Sequence, residues 1–177
     1  MAAYSALVNG GRYIEPTLLD RVQSRSGETI YVHDQRSCEG CDVEEWGPEV
    51  EEPDLPVLGE RVIDEVTAFQ VVHMLEGVVE RGTGARLRAL GRPLGGKTGT
   101  TNDFRDAWFV GFGPDLIAAT YVGFDTPRPL GSGEAGSRVA VPIVQEFLES
   151  ALQDYPAAPF RVPEGVRFVP IDRQTGE

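Results

Sequence analysis

Lysine is almost absent from this sequence, since only one of its 16 basic residues, at position 97, is a lysine. The basic residues are outnumbered by 28 acidic ones, which gives a net charge of −12. A chain this acidic repels phosphate, which excludes sequence-independent nucleic-acid binding. Long apolar runs are missing too: none approaches the ~20 residues of a bilayer span, and no signal-peptide pattern is present. We therefore expect a soluble chain, with any membrane anchor lying outside it.

Cysteine is also scarce. The two cysteines, Cys38 and Cys41, form a lone Cys-x-x-Cys pair. Structural zinc sites use four ligands, and His33 and Asp34 are the only obvious further candidates. No βαβ pattern surrounds the pair, which argues against a thioredoxin-like redox role. A disulfide, a metal site and two free thiols remain as alternatives from the residues alone.

The first half of the chain shows a helix, a hairpin and a second helix. Residues 1–8 are typical of the end of a helix that stops at Asn9-Gly10-Gly11, and the β-forming segments 18–24 and 28–33 flank Ser26-Gly27. Asp64 is the predicted N-cap of a helix that reaches about Arg81. Its core face is predicted from apolar residues at helical spacing: Val66, Phe69, Val72, Leu75 and Val79.

The second half changes to strands before it returns to a helix. Strands are predicted at 107–112 and 116–124, after a β-branched segment that begins near Gly95. A final helix is predicted with Pro142 in its first turn. Its core face would be an apolar stripe of Ile143, Val144, Phe147, Leu148, Ala151 and Leu152. The order predicts a mixed α/β (α+β) fold, an antiparallel sheet flanked by helices.

The organisation predicted along the chain is one domain with an insertion and a tail. The domain covers residues 1–154, and the acidic, aperiodic segment 34–59 is predicted to be a loop within it. Residues 155–177 are predicted to be an extended tail with spaced prolines.

Residues 91–98 (Gly-Arg-Pro-Leu-Gly-Gly-Lys-Thr) match the Walker A pattern of nucleotide-binding proteins. That site requires a buried strand before the glycines and a helix that begins at Lys-Thr, whose amides hold the phosphates. Residues 85–90 are rich in arginine, and residues 99–103 combine glycine, threonine and turn formers, which are poor in a helix. A P-loop nucleotide-binding protein is therefore the less favoured alternative.

The same residues suit a Lys-Thr-Gly motif on an edge strand, which accounts for the β-branched threonines. Lys97 would supply positive potential for an anionic ligand, and Gly99 would leave room for an acyl group. The hydroxyls of Thr98 and Thr100 are suited to bind a carboxylate through charge-assisted hydrogen bonds, worth ~1.5–3 kcal/mol each. Lys-Thr-Gly is the third signature of penicillin-binding proteins and serine β-lactamases.

Segments along most of the chain resemble class A (bifunctional) penicillin-binding proteins in order and spacing. They are Ala3-Tyr4-Ser5 with Asn9-Gly10-Gly11, Arg81-Gly82-Thr83-Gly84, Lys97 to Asp103, Arg105 to Phe112, Tyr121 to Asp125, and Ala140 to Ile143. The most specific part is Lys97 to Asp103 followed by Asp106-Ala107-Trp108-Phe109. The resemblance implies the C-terminal half of a transpeptidase domain with the fold shared with serine β-lactamases. It also implies a cofactor-free D,D-transpeptidase that cross-links murein stem peptides through an acyl-serine and binds β-lactams.

The resemblance also implies roles for single residues. Lys97 and Thr100 would be catalytic, Lys97 within a polar cluster and Thr100 through its backbone N–H in the oxyanion hole. Substrate binding would fall to Thr98, Gly99, Thr100 and Thr101. No metal is implied. The parent protein would sit at the periplasmic face of the bacterial inner membrane, and export favours a disulfide between Cys38 and Cys41.

Two family motifs are missing from this sequence. No serine has lysine three residues on or asparagine two residues on, so Ser-x-x-Lys, which carries the nucleophile, and Ser-x-Asn are absent. The resemblance also implies an upstream glycosyltransferase domain and membrane anchor, which we expect to lie outside this sequence. We therefore expect the chain to be inactive alone and to bind stem peptides or β-lactams together with the other half of the domain. A serine β-lactamase relative and a non-catalytic interaction module remain as alternatives.

Overall fold

The computed structural model describes residues 1–38, 40–41, 43, 47, 50, 53, 55–172 and 174–176. The chain forms two compact units, a larger one of residues 1–13 and 61–177 and a smaller one of residues 14–60. No helix in the described residues is both long enough and apolar enough to cross a membrane.

The smaller unit contains the predicted hairpin. Strands β2 (Arg21–Gln23) and β3 (Thr29–Val32) pair antiparallel, with Val22 opposite Tyr31. Gly27 supplies the positive φ of 85° that the turn requires. After the hairpin, the hydrogen bonds from Arg36 lower the pKa of Asp34 to about 2. The predicted acidic loop at 34–59 lies partly outside the described residues.

The larger unit begins with two helices joined through short strands. Helix α1 (Ala2–Val8), β1 (Arg12–Tyr13) and α2 (Glu65–Glu80) belong to this unit, and β4 (Glu60–Arg61) lies at the boundary between the two units in sequence. The predicted N-cap of α2 is confirmed, because Asp64 accepts a hydrogen bond from the N–H of Thr67 at 2.9 Å. A 3₁₀ helix, Ala85–Leu90, follows α2.

The central sheet has three antiparallel strands in the order β5 (Gly95–Thr100), β6 (Asp106–Phe112) and β7 (Ile117–Gly123). The predicted antiparallel sheet with flanking helices is confirmed. Residues directly opposite each other share a face, so Thr98 and Phe109 lie on one face, whereas Gly99 and Trp108 lie on the other.

Each face of the sheet contributes to its own buried cluster. Phe109, fully buried, packs among residues of α2, the 3₁₀ helix and the last helix, α3 (Gly136–Ala151). Phe112, also fully buried, packs on the opposite face with Val72 of α2 and with Phe160, near Tyr4 of α1. The strand β6 is thus the centre of the core.

The start of the last helix was predicted wrongly. Pro142 lies inside α3 rather than in its first turn, because the helix begins at Gly136. The apolar stripe is also narrower than predicted. The row Ala140, Val144 and Leu148 is buried, but Ile143 and Phe147 are 49% and 52% exposed. These two form a neighbouring i, i+4 row, turned about 100° towards solvent.

The tail after α3 is held to the larger unit. Arg92 donates to the carbonyl oxygen of Leu152 at the C-terminal end of α3 at 2.7 Å, and to those of Tyr155 and Pro156 at 2.7 and 2.8 Å. Phe160 is 7% exposed, with its ring centroid 5.9 Å from that of Phe112. One guanidinium therefore serves both the helix end, whose last carbonyls lack helical partners, and the tail.

We expect Arg92→Ala to lower the free energy of unfolding by about 1–3 kcal/mol, because three carbonyl oxygens lose a charged donor. The measurement is urea denaturation, combined with limited proteolysis between residues 153 and 160. Arg92→Lys is the control: it keeps the charge but not the planar fork, so only part of the loss should be recovered. Unchanged stability and unchanged cleavage in Arg92→Ala would contradict this role.

Candidate active site

The Lys-Thr-Gly residues lie on the outer strand of the sheet. The N–H of Thr101 donates to the carbonyl oxygen of Asp106 at 3.0 Å. The backbone of Thr101 therefore faces the neighbouring strand β6. Because backbone groups alternate along an antiparallel strand, the N–H and C=O of Thr98 and Thr100 point away from β6. Among the described residues, β5 has no second neighbouring strand. We call this outer side of Lys97–Thr100 the motif edge.

Lys97 is exposed on the motif edge, and its Nζ donates to the carbonyl oxygen of Thr98 at 2.6 Å. That carbonyl belongs to the outward-facing set, so the ammonium group lies along the edge. The described structure therefore concentrates a cation and outward N–H groups on one strand, in a chain whose net charge is −12.

The hydroxyl of Thr98 is paired with that of Thr83, with 2.8 Å between their oxygens. Thr83 lies in the turn that ends α2, between Gly82 and Gly84. The N–H groups of both glycines donate to the carbonyl oxygen of Val78, at 3.2 and 2.9 Å. The predicted site residues did not include Thr83. The available signal was the segment Arg81-Gly82-Thr83-Gly84, one of those that carry the family resemblance.

The hydroxyl of Thr100 is held by the start of α3, where the N–H of Gly136 donates to its Oγ1 at 3.0 Å. Gly136 is buried, and a Cβ there would lie 2.5 Å from the carbonyl oxygen of Trp108 and 2.8 Å from that of Gly99. Only glycine lets the helix approach the strands this closely. With one lone pair of Thr100 occupied, its O–H proton is left to donate elsewhere.

Thr101 lies just beyond β5, in a closed turn. Its Oγ1 accepts from the N–H of Asp106 at 2.8 Å and donates to the carboxylate of Asp106 at 3.2 Å. Asp103 and Phe104 follow with positive φ angles of 59° and 53°, unusual for residues other than glycine. The N–H of Leu130 donates to the carbonyl oxygen of Phe104 at 2.8 Å. The structure therefore uses the Thr101 hydroxyl to close the turn beside the motif edge.

On the other face, Gly99 lies opposite Trp108, and a Cβ on Gly99 would come 3.2 Å from the Cβ of Trp108. Trp108 is 46% exposed, whereas its neighbour Phe109 on the opposite face is fully buried. The Trp108 ring is 4.8 Å from that of Tyr121. Tyr121 donates to the Asp106 carboxylate at 2.9 Å, and this hydrogen bond raises the pKa of the phenol.

The position of Lys97 and Thr98 on β5 decides between the P-loop and the Lys-Thr-Gly interpretations and indicates which ligands the motif edge suits. Lys97 and Thr98 lie within β5, paired with Val110 and Phe109, so no helix begins there and the P-loop alternative is wrong. The motif edge offers a cation, hydroxyls and N–H groups, all donors suited to a carboxylate or an oxyanion. Within the described residues, no group of three or more His, Cys, Asp or Glu is arranged to hold a metal ion.

In the smaller unit the structure joins Cys38 and Cys41 in a disulfide, with their Cα atoms 5.6 Å apart. The predicted pairing is thus compatible with the local backbone, because disulfides span Cα separations of about 4.4–6.8 Å. It remains a prediction about the oxidised protein.

Comparison with known families gives a match along most of the chain. Residues 1–149 match the penicillin binding protein transpeptidase domain. The chain belongs to this family.

The relatives within the penicillin-binding family agree with the predicted class A resemblance. Penicillin-binding protein 1A of Rickettsia felis is 39% identical over 176 residues, which are 99% of this chain and 22% of that protein. The Pseudomonas aeruginosa protein of the same name is 36% identical over 203 residues, 98% of this chain and 25% of the relative. This chain thus spans about a quarter of the length of the relatives.

Solved structures show the same architecture. The crystal structure of penicillin-binding protein 1A from Haemophilus influenzae superposes with a TM-score of 0.79 at 29% identity, over 99% of this chain and 29% of that one. The D,D-transpeptidase domain of a peptidoglycan glycosyltransferase from Eggerthella lenta gives 0.56 at 25% identity, over 85% and 31%. The larger unit of this chain is therefore the sheet and helices of a penicillin-binding transpeptidase fold.

Proposed function

We propose that this chain forms the Lys-Thr-Gly side of a D,D-transpeptidase active site in a class A peptidoglycan synthase. The synthase would act at the periplasmic face of the inner membrane and join murein stem peptides through an acyl-serine. β-Lactams would acylate the same serine. The observation that carries the proposal is the motif edge itself: an outer strand with Lys97 exposed on it and the backbone of Thr98 and Thr100 directed outwards.

The donors on the motif edge suggest a division of roles. A terminal carboxylate would bind the hydroxyls of Thr98 and Thr100, where charge-assisted hydrogen bonds are strongest. The outward N–H of Thr100 would supply one donor of the oxyanion hole, which stabilises the tetrahedral intermediate. Lys97 would contribute positive potential next to the reacting groups.

Gly99 and Thr101 take supporting parts in this proposal. Gly99 keeps the space beside Trp108 clear, because a Cβ there would already touch that residue. Thr101 was predicted to bind substrate, and it would do so through the position of its backbone, since its hydroxyl is engaged by Asp106.

The nucleophile of the proposed reaction would come from residues outside this sequence, because no Ser-x-x-Lys occurs in it. A serine hydroxyl needs an adjacent base to become nucleophilic. Among the described hydrogen bonds, the serine side chains of the larger and smaller units pair only with backbone groups or with another serine. The chain alone is therefore proposed to bind a carboxylate weakly and to form no acyl-enzyme.

The test is the second-order rate of penicillin acylation in the full-length protein that contains this sequence. We expect Lys97→Ala and Thr98→Val each to slow acylation by about 10- to 100-fold, the worth of a charge-assisted hydrogen bond. Arg25→Ala and Thr126→Val are matched controls, since both residues are exposed and lie outside the site. Circular dichroism checks that each variant is folded.

Two results would count against the proposal. Unchanged acylation in both motif variants would remove Lys97 and Thr98 from the site and favour the interaction-module alternative. The 177-residue chain alone provides the other test, by intact-mass spectrometry after long incubation with excess penicillin. A stoichiometric mass increase mapped to any of its serines would show that the nucleophile lies within this sequence.

A further inference from the structure

We infer that Thr83 is a positioning residue that orients the Thr98 hydroxyl as a hydrogen-bond donor towards the carboxylate of the ligand. The inference rests on the proposed function, because it assigns a partner to one of its binding residues. Its basis is the 2.8 Å contact between the two hydroxyl oxygens, which joins the end of α2 to the motif edge.

A hydroxyl has one proton and two lone pairs, so the orientation of the pair decides what Thr98 offers to a ligand. If Thr98 donates to Thr83, only lone pairs face outwards, and these repel a carboxylate. If Thr83 donates to Thr98, the Thr98 proton is left for the ligand, and the two hydrogen bonds polarise each other. An anionic ligand therefore selects the second arrangement, and Thr83 supplies the donor that this arrangement requires.

The turn that presents Thr83 is built tightly enough to fix its position. A Cβ on Gly82 would lie 2.9 Å from the Cα of Val78, and one on Gly84 would lie 3.3 Å from the Val78 carbonyl oxygen. A Cβ on Gly84 would also lie 3.5 Å from the buried ring of Phe109. The turn is thus held against both the end of α2 and the core, which limits the movement of Thr83 relative to Thr98.

The Thr100 hydroxyl, the other one on the motif edge, is also oriented as a donor, in this case by the start of α3. Gly136 donates its N–H to Thr100 Oγ1, which occupies a lone pair and leaves the Thr100 proton for a ligand. With Thr83 donating to Thr98, both hydroxyls present protons. Two outward protons match the two oxygens of a carboxylate, whereas a neutral ester would lose much of this advantage.

The experiment compares acylation of the full-length protein by a penicillin and by the neutral methyl ester of the same penicillin. The ratio of the two second-order rate constants measures the preference for the carboxylate. We expect Thr83→Val to lower this ratio by about 3- to 10-fold, the usual worth of one hydrogen bond. Thr83→Ser, which keeps the hydroxyl, should restore most of the ratio, and Thr126→Val should not change it.

The double variant tests whether Thr83 acts through Thr98. In a Thr98→Val background, Thr83→Val should have no further effect on the ratio. A ratio that responds to Thr98→Val but not to Thr83→Val would overturn the role of Thr83 alone. Equal losses in Thr83→Val and Thr83→Ser would also overturn it, because they indicate a purely steric role. A ratio insensitive to Thr98→Val would overturn both this inference and the proposed binding role of Thr98.

Discussion

Phe109→Ala should lower the free energy of unfolding by about 3–5 kcal/mol, the largest effect that we expect from a single core substitution in this chain. The ring is fully buried at the centre of the cluster formed by α2, the 3₁₀ helix and α3. The sheet is also shaped around it, since a Cβ on Gly96 would lie 2.6 Å from the ring. Truncation of Phe109 to alanine would leave a cavity between these elements, and none of them can move to fill it without disturbing the others.

The measurement is urea denaturation of the 177-residue chain, followed by far-ultraviolet circular dichroism. Phe109→Leu keeps most of the volume and should cost less than Phe109→Ala, which provides a readable variant if the alanine protein does not fold. Phe147→Ala is the matched control, because this phenylalanine is 52% exposed and should cost less than about 1 kcal/mol. Equal losses in Phe109→Ala and Phe147→Ala would contradict the assignment of the core.

Gly136→Ala should destabilise the fold and impair the site together. Replacing glycine by alanine in a helix normally stabilises it by about 0.5–1 kcal/mol. At Gly136 the new Cβ would meet the carbonyl oxygens of Trp108 and Gly99 at 2.5 and 2.8 Å, and backbone atoms cannot swing aside. The start of α3 must move off the sheet, with an expected net loss of about 1–3 kcal/mol. The hydrogen bond to Thr100 is lost with it.

Gly77→Ala is the matched control for this prediction. Gly77 also lies within a helix, α2, but its Cβ would meet only the flexible end of the Arg81 side chain, at 2.8 Å. That substitution should stabilise or leave the fold unchanged. The measurements are urea denaturation of the chain and penicillin acylation of the full-length protein. If Gly136→Ala were as stable and as reactive as Gly77→Ala, the close packing of α3 on the motif edge would be wrong.

Local sequence was sufficient to predict the elements that carry strong local signals. The threonines at 98 and 100 predicted a strand rather than a P-loop helix, and β5 confirms this. Asp64 predicted the start of α2, because a capping side chain acts on residues within one turn. The Lys-Thr-Gly residues were placed on an outer strand of an antiparallel sheet for the same kind of reason.

Contacts between distant segments could not be predicted in this way. Pro142 indicated the start of a helix, but α3 begins at Gly136, where packing on β5 and β6 sets the first turn. The exposure of Ile143 and Phe147 depends on which of two adjacent rows faces the sheet, and the composition of the rows does not decide this. Thr83 was missed as a site residue because its partner, Thr98, is brought close only by the fold.

The two outer strands of the central sheet differ in a way that bears on the behaviour of the chain in concentrated solution. The outer strand β5 carries Lys97, whereas β7 (Ile117–Gly123) contains neither a charged residue nor a proline. In the described residues, neither strand has a further neighbour. Uncharged edge strands rich in β-formers are templates for pairing between molecules. Pairing between molecules through β7 is therefore a solubility hazard of this chain, and the net charge of −12 opposes it by repulsion between molecules.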